Sequence, residues 1–578
     1  MQKILETIIN DAIEQSQYAT LFSQLIDSKP HLERTKDKKF GDFSSNIALR
    51  LGKKLKRPPL DIANEIANSI SKKNFLEKII VEGPGFINFY ISDNAYHQEL
   101  IKIINASNKY GLSNVGKNIN VMLEYVSANP TGPLHVGHGR HAAYGASVAN
   151  LLKATGHNVF QEYYINDAGR QIDILTISVI LRYLEINKIN VPYPNNAYQG
   201  KYIVDIARAV NAEYNDSLTK YSKNICDEIN IFNGDEESLL DHIIVKINEF
   251  ISSEIFNNIK NIALELVTND IKKDLNEFGV KYDRWYSEKN LTPKKIKNTI
   301  AVLEKNNYVY KKDGAKWFKS SDLGDEKDRV LIKKNGSRTY FASDIAYHLE
   351  KIQRGFNYLV NIFGADHHGY APRIKASLEA LGQNKDIIEI NIVQFVALYR
   401  GATKTQMSTR SGKYITLREL RNEVGNDAAR FFYIFRSNDQ HLNFDLELAK
   451  TQTNDNPVYY IQYAYARISS LLNQADIAKE NLNEMLLSNL CKEAEQNLMV
   501  IASKYPEIIE SSSANRAPHQ LAHYLRDLAA AFHTFYNSER ILCDNSAMKQ
   551  SRLFLCLAIK IILKNGLSIL GVSAPKTM

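Results

Sequence analysis

The stretch Glu124-Tyr125-Val126-Ser127-Ala128-Asn129-Pro130-Thr131-Gly132-Pro133-Leu134-His135-Val136-Gly137-His138-Gly139-Arg140 decides the fold. The run leading into it, from Ile119 to Val126, is apolar and β-branched enough to be a buried strand. Pro130, Gly132 and Pro133 force an irregular turn, and a helical pattern resumes after His135. Strand, loop and helix in this order make the phosphate-binding junction of a doubly wound α/β fold. Free N–H groups at a helix N-terminus favour anions there, and glycine lets a ligand approach the backbone. His135 and His138 are three apart, so on a helix they share a face and both meet one polyphosphate. The spacing fits neither a Walker loop nor a dinucleotide loop.

Working outward, 578 residues suffice for several domains, and 44% hydrophobic with 24% charged residues describes an ordered soluble protein. A formal net charge of +8 suits a nucleic-acid partner without requiring one. Cys226, Cys491, Cys543 and Cys556 form no Cys-x-x-Cys pair, which argues against a zinc site and a disulfide framework. Free thiols in a reducing cytoplasm are the simplest reading. Met1 to Ile26 lacks the pattern of a signal peptide, and no apolar run is read as approaching the ~20 residues of a membrane span, so a cytoplasmic location away from membranes is expected.

Residues 1 to 105 read as a small α+β module. Lys36, Lys38, Lys39, Arg50, Lys53, Lys54, Lys56 and Arg57 crowd one stretch that is either a solvated face or a phosphate-backbone contact. Gly41 to Asn46 is expected to open a helix with a capping set, and Gly83-Pro84-Gly85 to turn into an alternating strand. A catalytic unit over 106–450 follows. Asn158 to Tyr164 is a second strand with a polar end at Ile165 to Gly169. Residues from about 183 to 268 form a helical insertion without evident chemistry, and Trp285 and Trp317 read as packing residues.

The second half of this unit carries three constellations. Tyr340 and Asp344 are four apart and point the same way on a helix, although Asp344 also suits a helix cap. Tyr358 to Phe363 reads as a strand ending in Gly364-Ala365-Asp366-His367-His368-Gly369. By type, Asp366, His367 and His368 could ligate a metal. Adjacent residues seldom chelate one ion, so contacts to a nucleotide or amino acid are preferred. Lys404-Thr405-Gln406-Met407-Ser408-Thr409-Arg410-Ser411-Gly412-Lys413 is a cationic loop. Residues 451–578 are amphipathic helices, with Tyr459, Tyr460, Tyr463 and Tyr465 mostly in the core at helical spacing and Gly566 and Gly571 as breaks. Any exposed tyrosine beside Arg467 would stack on an unpaired base.

His135-Val136-Gly137-His138, set inside Ser-Ala-Asn-Pro-Thr-Gly-Pro-Leu-His-Val-Gly-His-Gly-Arg, resembles the first signature of class I aminoacyl-tRNA synthetases, and the longer string resembles the arginyl-tRNA synthetases. Asp427-Ala428-Ala429-Arg430 is similar to the Asp-Ala-Leu-Arg pattern of that family's anticodon-binding domain, with Ala429 for leucine. The resemblance implies a Rossmann-like parallel-sheet catalytic domain, an α+β N-terminal domain that contacts the outer corner of tRNA, and an all-α anticodon-binding domain. The implied reaction joins arginine to ATP as an adenylate and passes arginyl to the tRNA 3′ end, with activation needing tRNA. Magnesium travels with ATP and needs no dedicated protein cage.

On matching positions the resemblance implies that His135 and His138 grip the triphosphate. Pro130, Thr131, Gly132 and Gly137 would line ATP on one side, and Gly364, Asp366, His367, Met407 and Ser408 on the other. Glu124, Ser127, Asn129, Tyr340, Asp344 and His368 would hold arginine, whose guanidinium wants carboxylates. The second signature departs from the family's Lys-Met-Ser-Lys, because Gln406 and Thr409 replace both lysines. Lys404, Arg410 and Lys413 are the cations near enough to substitute on the leaving pyrophosphate. Lys53, Lys54, Tyr459, Tyr463 and Arg467 are the implied tRNA contacts, DNA is not an expected partner, and a monomer is implied. Two other classes remain: a nucleotidylyltransferase of the same superfamily, which would lack the terminal modules, and an idle tRNA-binding relative, which would have lost His135 or His138.

Overall fold

The structure, a computed structural model, describes residues 1–23, 30, 32–70, 74–367, 369–405, 414–475 and 484–578. The N-terminal sheet runs β1-β2-β4-β3, from β1 (Leu32–Arg34), β2 (Phe43–Ser45), β3 (Leu76–Glu82) and β4 (Phe86–Ile91), all antiparallel. Half of the stretch Gly41 to Asn46, namely Phe43–Ser45, is therefore strand rather than the opening of a helix. Asp42 accepts from Ile91 N at 2.8 Å and from Tyr96 OH at 2.7 Å, and the helix starts at Ile47 with no side-chain cap from Asn46. Polar residues that favour caps here tie down a strand end instead.

The central sheet is parallel throughout, in the order β12-β11-β5-β6-β7, from β5 (Asn120–Glu124), β6 (Asn158–Ile165), β7 (Arg284–Ser287), β11 (Tyr358–Gly364) and β12 (Ile388–Val393). Its central strand β5 buries Val121, Met122 and Leu123 on both faces, which is why the sequence there is apolar without alternation. The chain moves one way from β5 to β7 and then returns to β11 on the other side. The carboxyl ends of β5 and β11 thus form the topological switch point, where a crevice opens.

Between β7 and β11 lies a small antiparallel sheet of β8 (Val309–Lys312), β9 (Ala315–Phe318) and β10 (Arg329–Ile332). Beyond β12, β13 (Val396–Arg400) pairs antiparallel with β14 (Thr403–Lys404) and parallel with β15 (Leu442–Asp445). The helical insertion spans the helices from Arg170–Ile186 to Ser253–Glu277. Trp285 stacks on Tyr163 at 4.4 Å and Trp317 packs beside Tyr310.

The C-terminal bundle corrects two expectations. Its last helix, Ser546–Leu570, is long and apolar enough to cross a membrane, whereas no such run is read in the sequence. It is apolar because it is the middle of the bundle, packed on helices Pro518–Ser538 and Pro457–Gln474, with 61% of its apolar window buried. Gly566 lies inside this helix and does not break it. A Cβ there would come within 2.6 Å of Leu525, so the glycine permits close helix contact, while Gly571 at φ +68 ends the helix. Asp427 and Arg430 join the bundle to the parallel-sheet half. Asp427 accepts from Gln462 at 2.8 Å and Ser573 N at 3.0 Å, and buried Arg430 donates to Phe278 O at 2.8 Å and Leu570 O at 3.2 Å.

Candidate active site

Strand β5 stops at Glu124 because the next turn bends sharply: Val126 and Ser127 both take positive φ, 67° and 41°. A β-branched residue there stores strain, on the order of 1–3 kcal/mol, of the kind found at functional sites. The bend turns the Ser127 hydroxyl back to donate to Glu124 Oε1 at 3.1 Å. Loop 130–133 is braced from the insertion, where Tyr202 OH donates to Thr131 O at 2.6 Å.

His135 is the N-cap of helix Val136–Ala154 and His138 its third residue. Their rings stack at 3.6 Å. Gly137 N and His138 N donate to His135 Nδ1 at 3.1 and 3.4 Å, and His135 N donates to His138 Nδ1 at 3.3 Å. Val136 N bonds Ile415 O, so the first-turn amides are already paired and do not wait free for an anion, as the sequence suggested. The reciprocal bonds put each imidazole's proton on Nε2, leaving Nε2–H as the donor for a ligand. Burial pushes both pKa values down, so the pair acts as neutral donors near pH 7. Gly137 makes room for this stack, since a Cβ would lie 2.9 Å from the His135 ring.

Two adjoining hollows, about 770 and 520 Å³, share Asn129 and His138. The larger holds Thr131, Gly132, Pro133 and His135, and the smaller Glu124, Ser127, Tyr340, Asp344, Gly364, Asp366 and His367. Asp344 sits inside helix Tyr340–Gln353, whose cap is Thr339, so it is no helix cap. Its carboxyl accepts from Tyr370 OH and is held well above the usual range by burial and by Glu124 and Glu288. Glu288 is itself raised, chiefly by burial. Beneath them, fully buried Lys351 pairs with Glu124 at 2.5 Å and donates to Asn361 Oδ1 at 3.2 Å. Of the three carboxyls Lys351 is bonded to Glu124 alone, so the hollow carries more acid than base and is short of a cation.

The segment that follows the second signature meets the same mouth. Thr405 N donates to Leu398 O at 2.9 Å, and the chain returns at Tyr414, whose ring stands edge-on to His135 at 6.2 Å. Leu417 N then bonds Leu134 O.

Three family models match: the arginyl tRNA synthetase N terminal domain over residues 3–91, the class I (R) tRNA synthetase catalytic domain over 99–454, and the DALR anticodon binding domain over 461–578. The arginine–tRNA ligase of Coxiella burnetii (strain RSA 331) is 47% identical over 100% of both chains, and that of Thioalkalivibrio sulfidiphilus is 46% identical over 94% of both. The chain belongs to the arginyl-tRNA synthetase family. The arginyl-tRNA synthetase of Thermus thermophilus, 20% identical, shares the fold with a TM-score of 0.73 over 100% of both chains.

Among the arginyl-tRNA synthetase positions named from sequence, Glu124, Ser127, Asn129, Tyr340 and Asp344 come together in the smaller hollow, with Gly364, Asp366 and His367 at its rim. Pro130 opens the braced loop, and Lys404 is exposed on β14. His368, Met407, Ser408, Arg410 and Lys413 lie outside the described residues. Lys53 and Lys54 are exposed in the last turn of helix Ile47–Leu55. Of the four tyrosines read as mostly core, only Tyr465 is buried. Tyr459 and Tyr463 are half-buried and stack at 5.9 Å, with Arg467 over Tyr463 at 4.8 Å and over Tyr536 at 4.2 Å.

Sequence reasoning missed Glu288, Lys351 and Tyr370, and the insertion's Tyr198 and Tyr202, which wall the larger hollow. The insertion thus contributes to the site, against the reading that it carries no chemistry. Position at the carboxyl end of β7 was the one available signal for Glu288.

Proposed function

We propose that the chain activates arginine with ATP·Mg²⁺ and transfers arginyl to the 3′ end of its tRNA, with the two hollows as the seats of the two substrates. A stacked imidazole pair and a carboxyl-rich pocket short of a cation lie side by side at one switch point, and that juxtaposition supports the reading. Asp344 and Glu124 take the guanidinium, Ser127, Asn129 and Tyr340 orient the amino-acid end, and His368 completes that contact. Pro130, Thr131, Gly132, Gly137, Gly364, Asp366, His367, Met407 and Ser408 border ATP. Neutral Nε2–H donors of His135 and His138 stabilise charge that grows on the phosphates as the arginine carboxylate attacks the α-phosphorus, breaking the bond to pyrophosphate. Lys404, Arg410 and Lys413 supply the cations that Gln406 and Thr409 do not.

Transfer needs positioning more than acid–base catalysis, since the adenylate is already activated. Lys53, Lys54, Tyr459, Tyr463 and Arg467 contact tRNA, the enzyme works as a monomer in the cytoplasm, and the domains divide near 105 and 450. Charging of tRNA with labelled arginine, with each component omitted in turn, tests the reading: product is expected only with arginine, ATP, magnesium and tRNA together. Pyrophosphate exchange driven by arginine without tRNA would count against the tRNA-dependent form, and charging with another amino acid against the whole reading.

A further inference from the structure

The signature helix reaches beyond the crevice through Arg140. This guanidinium is buried, 1% exposed, and donates to three backbone carbonyls, Gln394 O, Gln440 O and Ser437 O, each at 2.8 Å. Those carbonyls belong to the two short segments that follow β12 and precede β15. The segments are laced together further: Gln394 N donates to Asn438 O at 2.9 Å, Leu442 N to Phe395 O at 3.0 Å, and the Asn438 amide to Ile392 O at 2.9 Å. What they present outward is a flat aromatic pair. Phe395 is 62% exposed, His441 is exposed, and the rings lie near-parallel, 12° apart, with centroids at 6.3 Å. A large aromatic ring left mostly in water costs free energy, yet here both backbones that carry the pair are fixed by a fully buried cation on the active-site helix.

The position gives this pair its meaning. Val393, the last residue of β12, is in register with Gly364 of β11 at the rim of the smaller hollow. Phe395 is two residues further along the chain, on the carboxyl side of the sheet, hence on the order of 8 Å from that rim by strand spacing and rise. Exposed Arg436 lies next to Ser437, within the same segment. A planar, solvent-facing aromatic surface suits a nucleobase, and any base satisfies it because every base has a π-face.

We propose that Phe395, stacked on His441, is the platform on which an unpaired nucleotide of the tRNA 3′ end stacks as the terminal adenosine enters the crevice. This rests on the proposed tRNA-charging activity. That reaction must bring a single strand to the carboxyl edge of the sheet, where the pair stands, and Arg140 couples the platform rigidly to the helix that carries His138.

The experiment uses the full chain and two forms of its tRNA, intact and lacking the last three nucleotides. Binding of each is measured for the wild type, Phe395→Ala, Phe395→Leu and Phe395→Trp. Intact tRNA is expected to bind Phe395→Ala and Phe395→Leu about tenfold more weakly or worse, the worth of one stacked base, while Phe395→Trp stays near the wild type. The truncated tRNA is expected to bind all four proteins alike. An equal loss on both tRNAs, or no loss on the intact one, overturns the proposal. Failure of the wild type to charge tRNA with arginine would instead overturn the function on which it rests.

Discussion

Asp344 offers the sharpest test among the single residues, because burial and the neighbouring Glu124 and Glu288 hold its carboxyl well above the ordinary range. A guanidinium binds the ionised form, so arginine binding should release a proton and strengthen as pH rises through the raised pKa. The KM for arginine should therefore fall with increasing pH, and Asp344→Asn should raise it about 10- to 100-fold while changing the KM for ATP far less. A mutant that moves the ATP constant more would remove Asp344 from the guanidinium pocket. Lys351 supports a stability prediction. Lys351→Met strands Glu124 and should cost about 3–5 kcal/mol in urea unfolding, whereas Lys351→Met with Glu124→Gln should recover most of it. At this scale, residues fixed by local spacing were legible: His135 and His138 by their interval, Tyr340 and Asp344 by a helical turn. Glu288 and Tyr370 were not, because only the assembled fold brings them to Asp344, and Lys351, two turns along the same helix, gains its role only when β5 brings Glu124 to it.

Elements were legible where burial alone dictated them. Strands β5 and β11 announced themselves as buried apolar runs and β6 as a second strand, and the polar stretches after β6 and β11 marked the crevice. Gly41 to Asn46 misled, because Asp42 and Ser45 satisfy backbone groups of neighbouring strands and loops, a use that composition does not distinguish from a cap. Gly566 misled likewise, since the close approach of Leu525 requires it and no turn does. The four residues Asp427 to Arg430 work as a joint between halves, with Arg430 spanning from Phe278 O to Leu570 O. Arg430→Met leaves both carbonyls buried without a donor and should lower stability by roughly 2–4 kcal/mol, seen as a lower urea midpoint. A midpoint equal to that of the wild type would deny the joint any role in holding the halves together.

Taken whole, the molecule collects neutral histidines around one crevice. Burial lowers the pKa values of His135, His138 and His348, and that of His141 falls to about 4. The unfolded chain, with imidazoles near 6.5, binds more protons than the folded one below that value, so stability should rise with pH from about 4 to about 7 and be lost on acidification. Thermal melts across that interval check the sign, and a melting temperature that climbs as pH falls from 7 would refute it. The membrane-length apolar helix Ser546–Leu570 shows why the whole escapes a local reading: its hydrophobicity serves an interior built from segments hundreds of residues apart. A hollow short of a cation selects a guanidinium beside a triphosphate grip. The most direct measurement is kcat/KM for charging tRNA with arginine against citrulline, its neutral isostere. Citrulline should be rejected by about 10⁴-fold or more, since buried carboxylates would be left without their cation. Comparable charging of the two would contradict it.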